Sequence, residues 1–444
     1  MKSISKSGMK KIFASLGLAA AGTASLHASL LDLNSDSKNW TISGTLRGFY
    51  DDNYLTASKK EGSTGFEFNP TFSLHLPLQQ TELGIRYTYG LYYYEKREEK
   101  HQNPIDQTHQ FDLWIDHAFN SRWDLRLSDT ASVTQDPSLT TGPTLSAAAT
   151  AQRVSGNNLQ NTANLNLHTI WTPEFSTALS YVNTYVRYDN RGAAVTNTVP
   201  PVVTASFAGL LDRVEQNFGL EGDWQFTRKT TGSVGYQFNL VNFTGNEVTE
   251  FVITDTNTLA GHFTHSSDRD NYSHIGYVGL QHSFLENLQG SVQAGVQYTT
   301  YYNDPTAGNS LGPYGNANLV YTYAPGSYAQ IGFSQSRNAT DQLGQDSKGR
   351  ITQDEESSVV FVSINHPLTP RMMATLAGHY QFSVYNGGEN NNGSSQMYNL
   401  SANVAYNFNR HFSSEVGYNF DCYTSPAGGN YTRNRVYLGF TASY

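Results

Sequence analysis

The chain has 444 residues, a formal net charge of −9 spread along its length, 15% charged and 13% aromatic residues, and a single cysteine, Cys422. So few charges beside so many aromatics exclude a disordered chain, the lack of any basic block or basic–aromatic patch excludes a nucleic-acid binder, and one cysteine excludes an intrachain disulfide. A mean hydropathy below zero argues against helical membrane spans only, because a barrel strand shows lipid just half of its side chains.

In chain order, Lys2, Lys6, Lys10 and Lys11 form a positive N-terminal region, and IFASLGLAAAGTASLHA (12–28) follows as a short apolar core with small residues. This reads as a secretory signal peptide over 1–28, cut after Ala28, with Ala24 as the competing site. No cysteine lies near either site, so a lipoprotein is not expected. Residues 29–39 form a short polar periplasmic lead-in, and 40–444 form one domain with no linker. Past the leader, no run approaches the ~18–20 apolar residues of a membrane helix.

From residue 40 onward the apolar residues recur with period two. GFEFNPTFSLHL sets Phe66, Phe68, Phe72, Leu74 and Leu76 against Glu67, Asn69, Thr71, Ser73 and His75. TELGIRYTYGLYY sets Leu83, Ile85, Tyr87, Tyr89 and Leu91 against Glu82, Arg86 and Thr88. WDLRLSDTASV sets Trp123, Leu125, Leu127, Ala131 and Val133 against Asp124, Arg126, Ser128, Thr130 and Ser132. MMATLAGHYQFSV (372–384) and YNLSANVAYNFNRHFSSEVGYNF (398–420) behave alike. Such alternation marks half-buried strands, and runs of about nine to thirteen residues match the ~9–11 that a tilted strand needs to cross hydrocarbon.

Short turns are expected at 77–80, 120–123, 172–175, 227–230, 285–288, 324–327, 367–370 and 409–412. Longer polar links fall at 51–64, 95–108, 135–158, 189–213, 245–270, 304–313, 337–356, 386–396 and 424–432. Their strict alternation predicts an all-β fold: a closed antiparallel transmembrane β-barrel of about eighteen strands (16–18), with short periplasmic turns and long extracellular loops. Closure is required because an unpaired backbone group in hydrocarbon costs several kcal/mol. Sixteen to eighteen strands leave a water-filled lumen, whereas side chains fill eight.

The polar face then lines the pore. Its candidate residues are Arg47, Glu67, Glu82, Arg86, Asp112, Trp114, Asp116, Asp124, Arg126, Glu215, Glu221, Asp223, Glu415, Asp421 and Arg435. Acids outnumber bases among them, which predicts a mild cation preference; wall-stiffening ion pairs are the alternative. Aromatics at YYYEK (92–96), QYTTYY (297–302) and DCYTS (421–425) suggest interfacial girdles, or a sugar-stacking track using Tyr92, Tyr94, Trp114 and Tyr437. The link 189–213, with its apolar FAGLL (207–211), is either a self-packed outer loop or a constriction folded into the lumen.

No catalytic or metal site is expected, and no cofactor. His109 and His117 share one face of a strand while Asp112 and Asp116 take the other. The segment 344–355 has some calcium-loop spacing at Asp346, Gly349, Ile351 and Glu355, but Gly344 and Lys348 replace ligands. Asp354, Glu355 and Glu356 could instead meet divalent ions that bridge lipopolysaccharide. His379, Ser383 and Asn386 are a chance triplet rather than a hydrolase site, so no enzyme is expected. The last strand, TRNRVYLGFTASY, puts Val436, Leu438, Phe440, Ala442 and Tyr444 on one face and ends on an aromatic. It resembles the C-terminal signal read by the outer-membrane barrel-assembly machinery, carried by Val436, Leu438, Phe440 and Tyr444.

In rhythm, and in FNPTFSLHLPLQQTELGIRYTYGLYYYE (68–95), the chain resembles the putative beta-barrel porin 2 group of Gram-negative bacteria. That resemblance implies an outer-membrane channel for passive diffusion or export of small hydrophilic solutes or glycans. Lipid and lipopolysaccharide are its expected surroundings, and a homo-trimer is a possible assembly. The alternative is a non-conducting barrel with a plugged lumen, used for adhesion or ligand capture.

Overall fold

The computed structural model of the protein describes residues 38–134, 158–255, 257–304, 307–340, 351–425 and 429–444. The leader 1–28, most of the lead-in and the link 135–157 lie outside the described residues. The strands in chain order are β1 (Trp40–Asp51), β2 (Ser63–Pro77), β3 (Thr81–Tyr94), β4 (Ile105–Ala118), β5 (Trp123–Thr134), β6 (Asn158–Ile170), β7 (Phe175–Tyr188), β8 (Ala194–Val195), β9 (Val203–Thr204), β10 (Arg213–Thr227) and β11 (Thr230–Phe243). They continue with β12 (Val248–Asp255), β13 (Ala260–His265), β14 (Asn271–Leu285), β15 (Leu288–Tyr301), β16 (Ser310–Ala324), β17 (Ser327–Asn338), β18 (Thr352–Thr369), β19 (Met372–Gly387), β20 (Ser394–Asn407), β21 (Phe412–Thr424) and β22 (Tyr431–Ser443). Short helices α1 (Glu95–Glu99) and α2 (Phe207–Leu211) sit in loops.

Eighteen of these strands form one antiparallel sheet in which each pairs with the next. The last strand returns to the first: β22 pairs with β1 from Ser43↔Ser443 to Asp51↔Arg435. The expected closed barrel and strand count are therefore observed. The small ribbons β8–β9 and β12–β13 are loop structure outside the wall. Eighteen strands ~4.8 Å apart and tilted by ~40° enclose a cylinder on the order of 35 Å across. Inward side chains cannot fill that width.

Alternation sets the two faces. Trp40, Ile42, Leu46 and Tyr50 on β1 are exposed, as are Phe66, Phe68 and Phe72 on β2 and Val436, Leu438 and Phe440 on β22. Val234 is 67% exposed at an outer position of β11. This band of large apolar side chains runs round most of the wall, far beyond what a water-soluble surface carries. The polar set, including Glu67, Glu221, Asp421 and Arg435, is buried on the opposite face.

Turn chemistry closes one end of the barrel. Asn120 Oδ1 accepts from the N–H groups of Arg122 and Trp123, and Asn409 Oδ1 accepts from those of His411 and Phe412. Thr172 Oγ1 does the same for Glu174 and Phe175. These side chains satisfy donors that the ladder leaves free. At Pro325–Gly326 the glycine takes φ +75°, a conformation that L side chains rarely adopt. The opposite end carries all the long links.

The face assignment has a direct test. Val234→Arg puts a cation in the outer band and is expected to lower stability by about 2–4 kcal/mol. Ser233→Arg, one residue away on the inner face and opposite Asp223, is expected to cost far less in urea titrations of liposome-folded protein.

Candidate functional site

The inner wall is built by strand parity, and every one of the fifteen candidate pore-lining residues takes the inner parity. The densest region is the seam where the barrel closes. Arg47 on β1 pairs with Glu67 on β2 and reaches Glu415 on β21 at 2.5 Å. Arg435 on β22 holds the other oxygen of Glu67 at 2.6 Å, and Arg433 holds Asp51 at 2.6 Å. The Arg435 guanidinium lies 3.9 Å from the centroid of Phe49, and that of Arg47 lies 5.1 Å from Tyr437. The network crosses four adjacent strands on the lumen side.

Elsewhere Arg86 binds Asp112 at 2.9 Å, Arg126 binds Asp116 at 2.6 Å, and Arg213 binds Glu215 at 2.5 Å. Each inward arginine among the described residues thus has a carboxylate partner. The converse does not hold. Glu221 accepts only from neutral donors, Tyr277 Oη at 2.8 Å and Gln293 Nε2 at 3.1 Å. Asp223, two residues along the same face, is 6% exposed, and its Oδ2 has no hydrogen-bond partner. Asp124 faces His168 at 3.0 Å.

Large inward rings lie against glycines of the neighbouring strand. Trp114 stands opposite Gly84, Tyr277 opposite Gly235, Phe361 opposite Gly332 and Tyr437 opposite Gly417. A methyl group added at any of these glycines would overlap the ring. The glycines let the rings lie along the wall instead of across the lumen. Of the four residues read as a sugar track, Tyr92, Trp114 and Tyr437 take the inner face, but Tyr94 is 1% exposed between Phe49 and Tyr54 and offers no surface. The girdle reading also narrows. In YYYEK only Tyr93 is outward, stacked on Phe66 at 5.0 Å, and Tyr301 and Tyr423 are buried.

The long links between β7 and β18 fold together. Helix α2 places Leu210 and Leu211 against Val186 and Tyr188, which are inner residues at the top of β7. The FAGLL segment therefore leans over the lumen side of the wall. Arg269, fully buried, donates to the carbonyls of Leu210 (3.0 Å) and Thr340 (2.7 Å) and lies over Phe243 at 4.6 Å. Asp212 accepts the N–H of Tyr188 and Asp270 that of Phe243, both at 2.6 Å, so carboxylates terminate two strand tops. Burial pushes the carboxyl pKa of both Asp212 and Asp270 up, against those N–H bonds.

Other sequence candidates do not assemble. Asp354 is buried and bound by Arg337 at 3.0 Å, and Arg337 also reaches Glu356 at 3.4 Å. That acidic run is internal packing and not a surface for bridging cations. Residues 344–350 of the calcium-like segment lie outside the described residues, and Glu355 belongs to strand β18. No group of three His, Cys, Asp or Glu suited to a metal occurs among the described residues. His379 and Ser383 share the inner face, but four residues along a strand separate them by ~13 Å. Ser383 Oγ is engaged with Ser357, Glu355 and Gln381.

Residues 255–444 match the model of the family described as "Putative beta-barrel porin 2". The stretch 68–95 that carried the resemblance lies outside that match. No curated protein matches the chain. Among solved structures the chain is similar to OccAB4 of Acinetobacter baumannii, with 13% identity over 92% of this chain and 99% of that one, at a TM-score of 0.41. It is also similar to the outer membrane protein opdK of Pseudomonas aeruginosa (10% identity, 91% and 99% covered, TM-score 0.42). A third is OccK9 (OpdG) of the same organism (11%, 91% and 99%, 0.43). The closed ring of strands and its exposed apolar outer band are those of a membrane-spanning β-barrel, and its residues 255–444 are similar to the porin family named above.

Two outcomes follow from this geometry. Gly332→Val is expected to cost about 1–3 kcal/mol by overpacking and to lower single-channel conductance as Phe361 swings inward. Gly48→Ala, which meets nothing within 4 Å, should change neither. Because Asp212 and Asp270 bind protons more readily in the folded loops than in opened ones, loop stability grows as pH falls through the raised carboxyl values toward the ordinary one. Hydrogen exchange in 205–212 and 266–270, corrected for intrinsic rates, should therefore be slower near the ordinary carboxyl range, at about pH 4, than at neutral pH.

Proposed function

We propose that this protein is a diffusion channel for small hydrophilic solutes with a mild preference for cations. The observation that carries the reading is the charge left over on the inner wall. Every inward arginine among the described residues is neutralised by a carboxylate, while Glu221 and Asp223 have no basic residue within ion-pair distance. Paired charges stiffen the wall and project little field, whereas carboxylates with no cation beside them leave negative charge on the inner wall to the extent that they are ionised, which favours cations in the lumen. The fifteen inward residues are the proposed lining. Tyr92, Trp114 and Tyr437, flat against that lining, would let sugar rings stack as they pass. Export of glycans is the same reading run outward.

The remaining partners are proposed on sequence grounds. Val436, Leu438, Phe440 and Tyr444, exposed in a row on the outer face of β22, would present the assembly signal to the barrel-assembly machinery. The leader 1–28 would direct export. The competing reading, a non-conducting capture barrel, draws on the loops that Arg269 ties together over one side of the mouth.

Planar-bilayer recording in a tenfold KCl gradient separates these readings. A conducting pore whose reversal potential favours K⁺, and loses much of that preference in Glu221→Gln/Asp223→Asn, is the expected result. No conductance from correctly folded protein would select the capture barrel. Anion selectivity, or cation selectivity untouched by the double change, would remove the role given to these two carboxylates.

A further inference from the structure

The outer face is apolar round most of the barrel, but one sector departs from this. On β5 the outer positions run Leu125, Leu127, Asp129, Ala131 and Val133, so Asp129 stands between apolar neighbours. No other strand among the described residues puts a carboxylate between two apolar outer neighbours. Register carries the polar row onward. Asp129 pairs with Ala163 on β6, Ala163 with Asn183 on β7, and Asn183 with Gln216 on β10. Asn161, one outer position above Ala163, donates to Asp129 Oδ1 at 2.5 Å. Asn183 lies between Tyr181 and Tyr185, and Gln216 between Val214 and Phe218, on their own outer faces. Among the described residues neither side-chain amide has a hydrogen-bond partner.

Acyl chains cannot satisfy these groups. An amide or carboxylate turned into hydrocarbon without a partner costs several kcal/mol. Three amides and a carboxylate gathered on four adjacent strands therefore call for a polypeptide, and not lipid, as their neighbour. Asn and Gln are donors and acceptors at once, and Asp129 keeps an acceptor oxygen beside them. The set is thus self-complementary: amide N–H groups of one copy meet amide carbonyls and the carboxylate of another. Ala131 and Ala163 let backbones approach closely in the middle of the patch, as small residues do at membrane interfaces. Four strands across and an apolar band ~25 Å tall give about 1,000 Å² in total for two copies, the lower bound of a specific interface.

We propose that the outer face of β5, β6, β7 and β10 is the surface through which this chain binds a second copy of itself. The same patch meets the same patch about a symmetry axis. The interface is independent of the channel reading, since it lies on the opposite side of the wall from Glu221 and Asp223.

The test uses the full chain, extracted from outer membranes in mild detergent, with protein mass read by light scattering on a sizing column. The natural sequence should elute with at least twice the protein mass of one chain. Asp129→Leu/Asn183→Leu/Gln216→Leu, which only makes the outer face more apolar, should elute as one chain and keep the heat-modifiable gel migration of a folded barrel. Independently, Asn183→Cys in a Cys422→Ser background should be joined between copies by a short bis-maleimide in intact membranes. Leu400→Cys, on the outer face of β20 at the opposite side of the ring, should not. A single-chain mass for the natural sequence, an oligomer that survives the triple change, or a complex with a different protein would each overturn the proposal.

Discussion

The structure depends on the need to satisfy every backbone N–H and C=O where there is no water. A strand can export that need only to a neighbour, and the neighbour to the next, until the last meets the first. The pairing of β22 with β1 ends the chain of obligations. From that closure follow two faces, two solvents and an interior too wide for side chains to fill. The ion pairs from Glu67 through Arg47 to Glu415, with Arg435 and Arg433 beside them, reinforce the line where the ring could open.

The inner wall combines order with openness. Salt bridges between adjacent strands hold long side chains along the sheet, and glycines do the same for rings such as Trp114 and Phe361. Both devices keep bulky groups out of the aqueous path. On the proposed reading, the net field is set by the few carboxylates that find no cation. The mouth is arranged differently: Arg269, Asp212 and Asp270 bind backbone groups and gather three links into one packed body.

Much of this was legible from residue order. Alternation in runs such as GFEFNPTFSLHL reports the face directly, because each side chain has only two places to go and lipid tolerates only one class there. Turn residues such as Asn120, Thr172 and Asn409 mark the short ends for an equally local reason. Other features depend on contacts remote in sequence. Tyr94 is lost to the lumen because Tyr54, from the preceding loop, covers it. The acids at 354–356 are claimed by Arg337 across a strand pair. Arg269 acts on carbonyls 59 and 71 residues away. Asp129 is the instructive case. Its parity was present in WDLRLSDTASV, yet it is the residue that the apolar/polar split of that run passes over, and only register showed that it has polar company.

The eighteen wall strands pair with their successors in the chain everywhere except at one place, where Thr45 meets Thr441 from 396 residues away. The barrel is therefore a modular ring with a single clasp. A hairpin duplicated or deleted anywhere else widens or narrows the circumference by two strands, keeps both termini on the same side and leaves the clasp intact. Pore calibre in such a design is adjustable by copying or dropping segments of the coding sequence, without redesigning the residues that shut the ring.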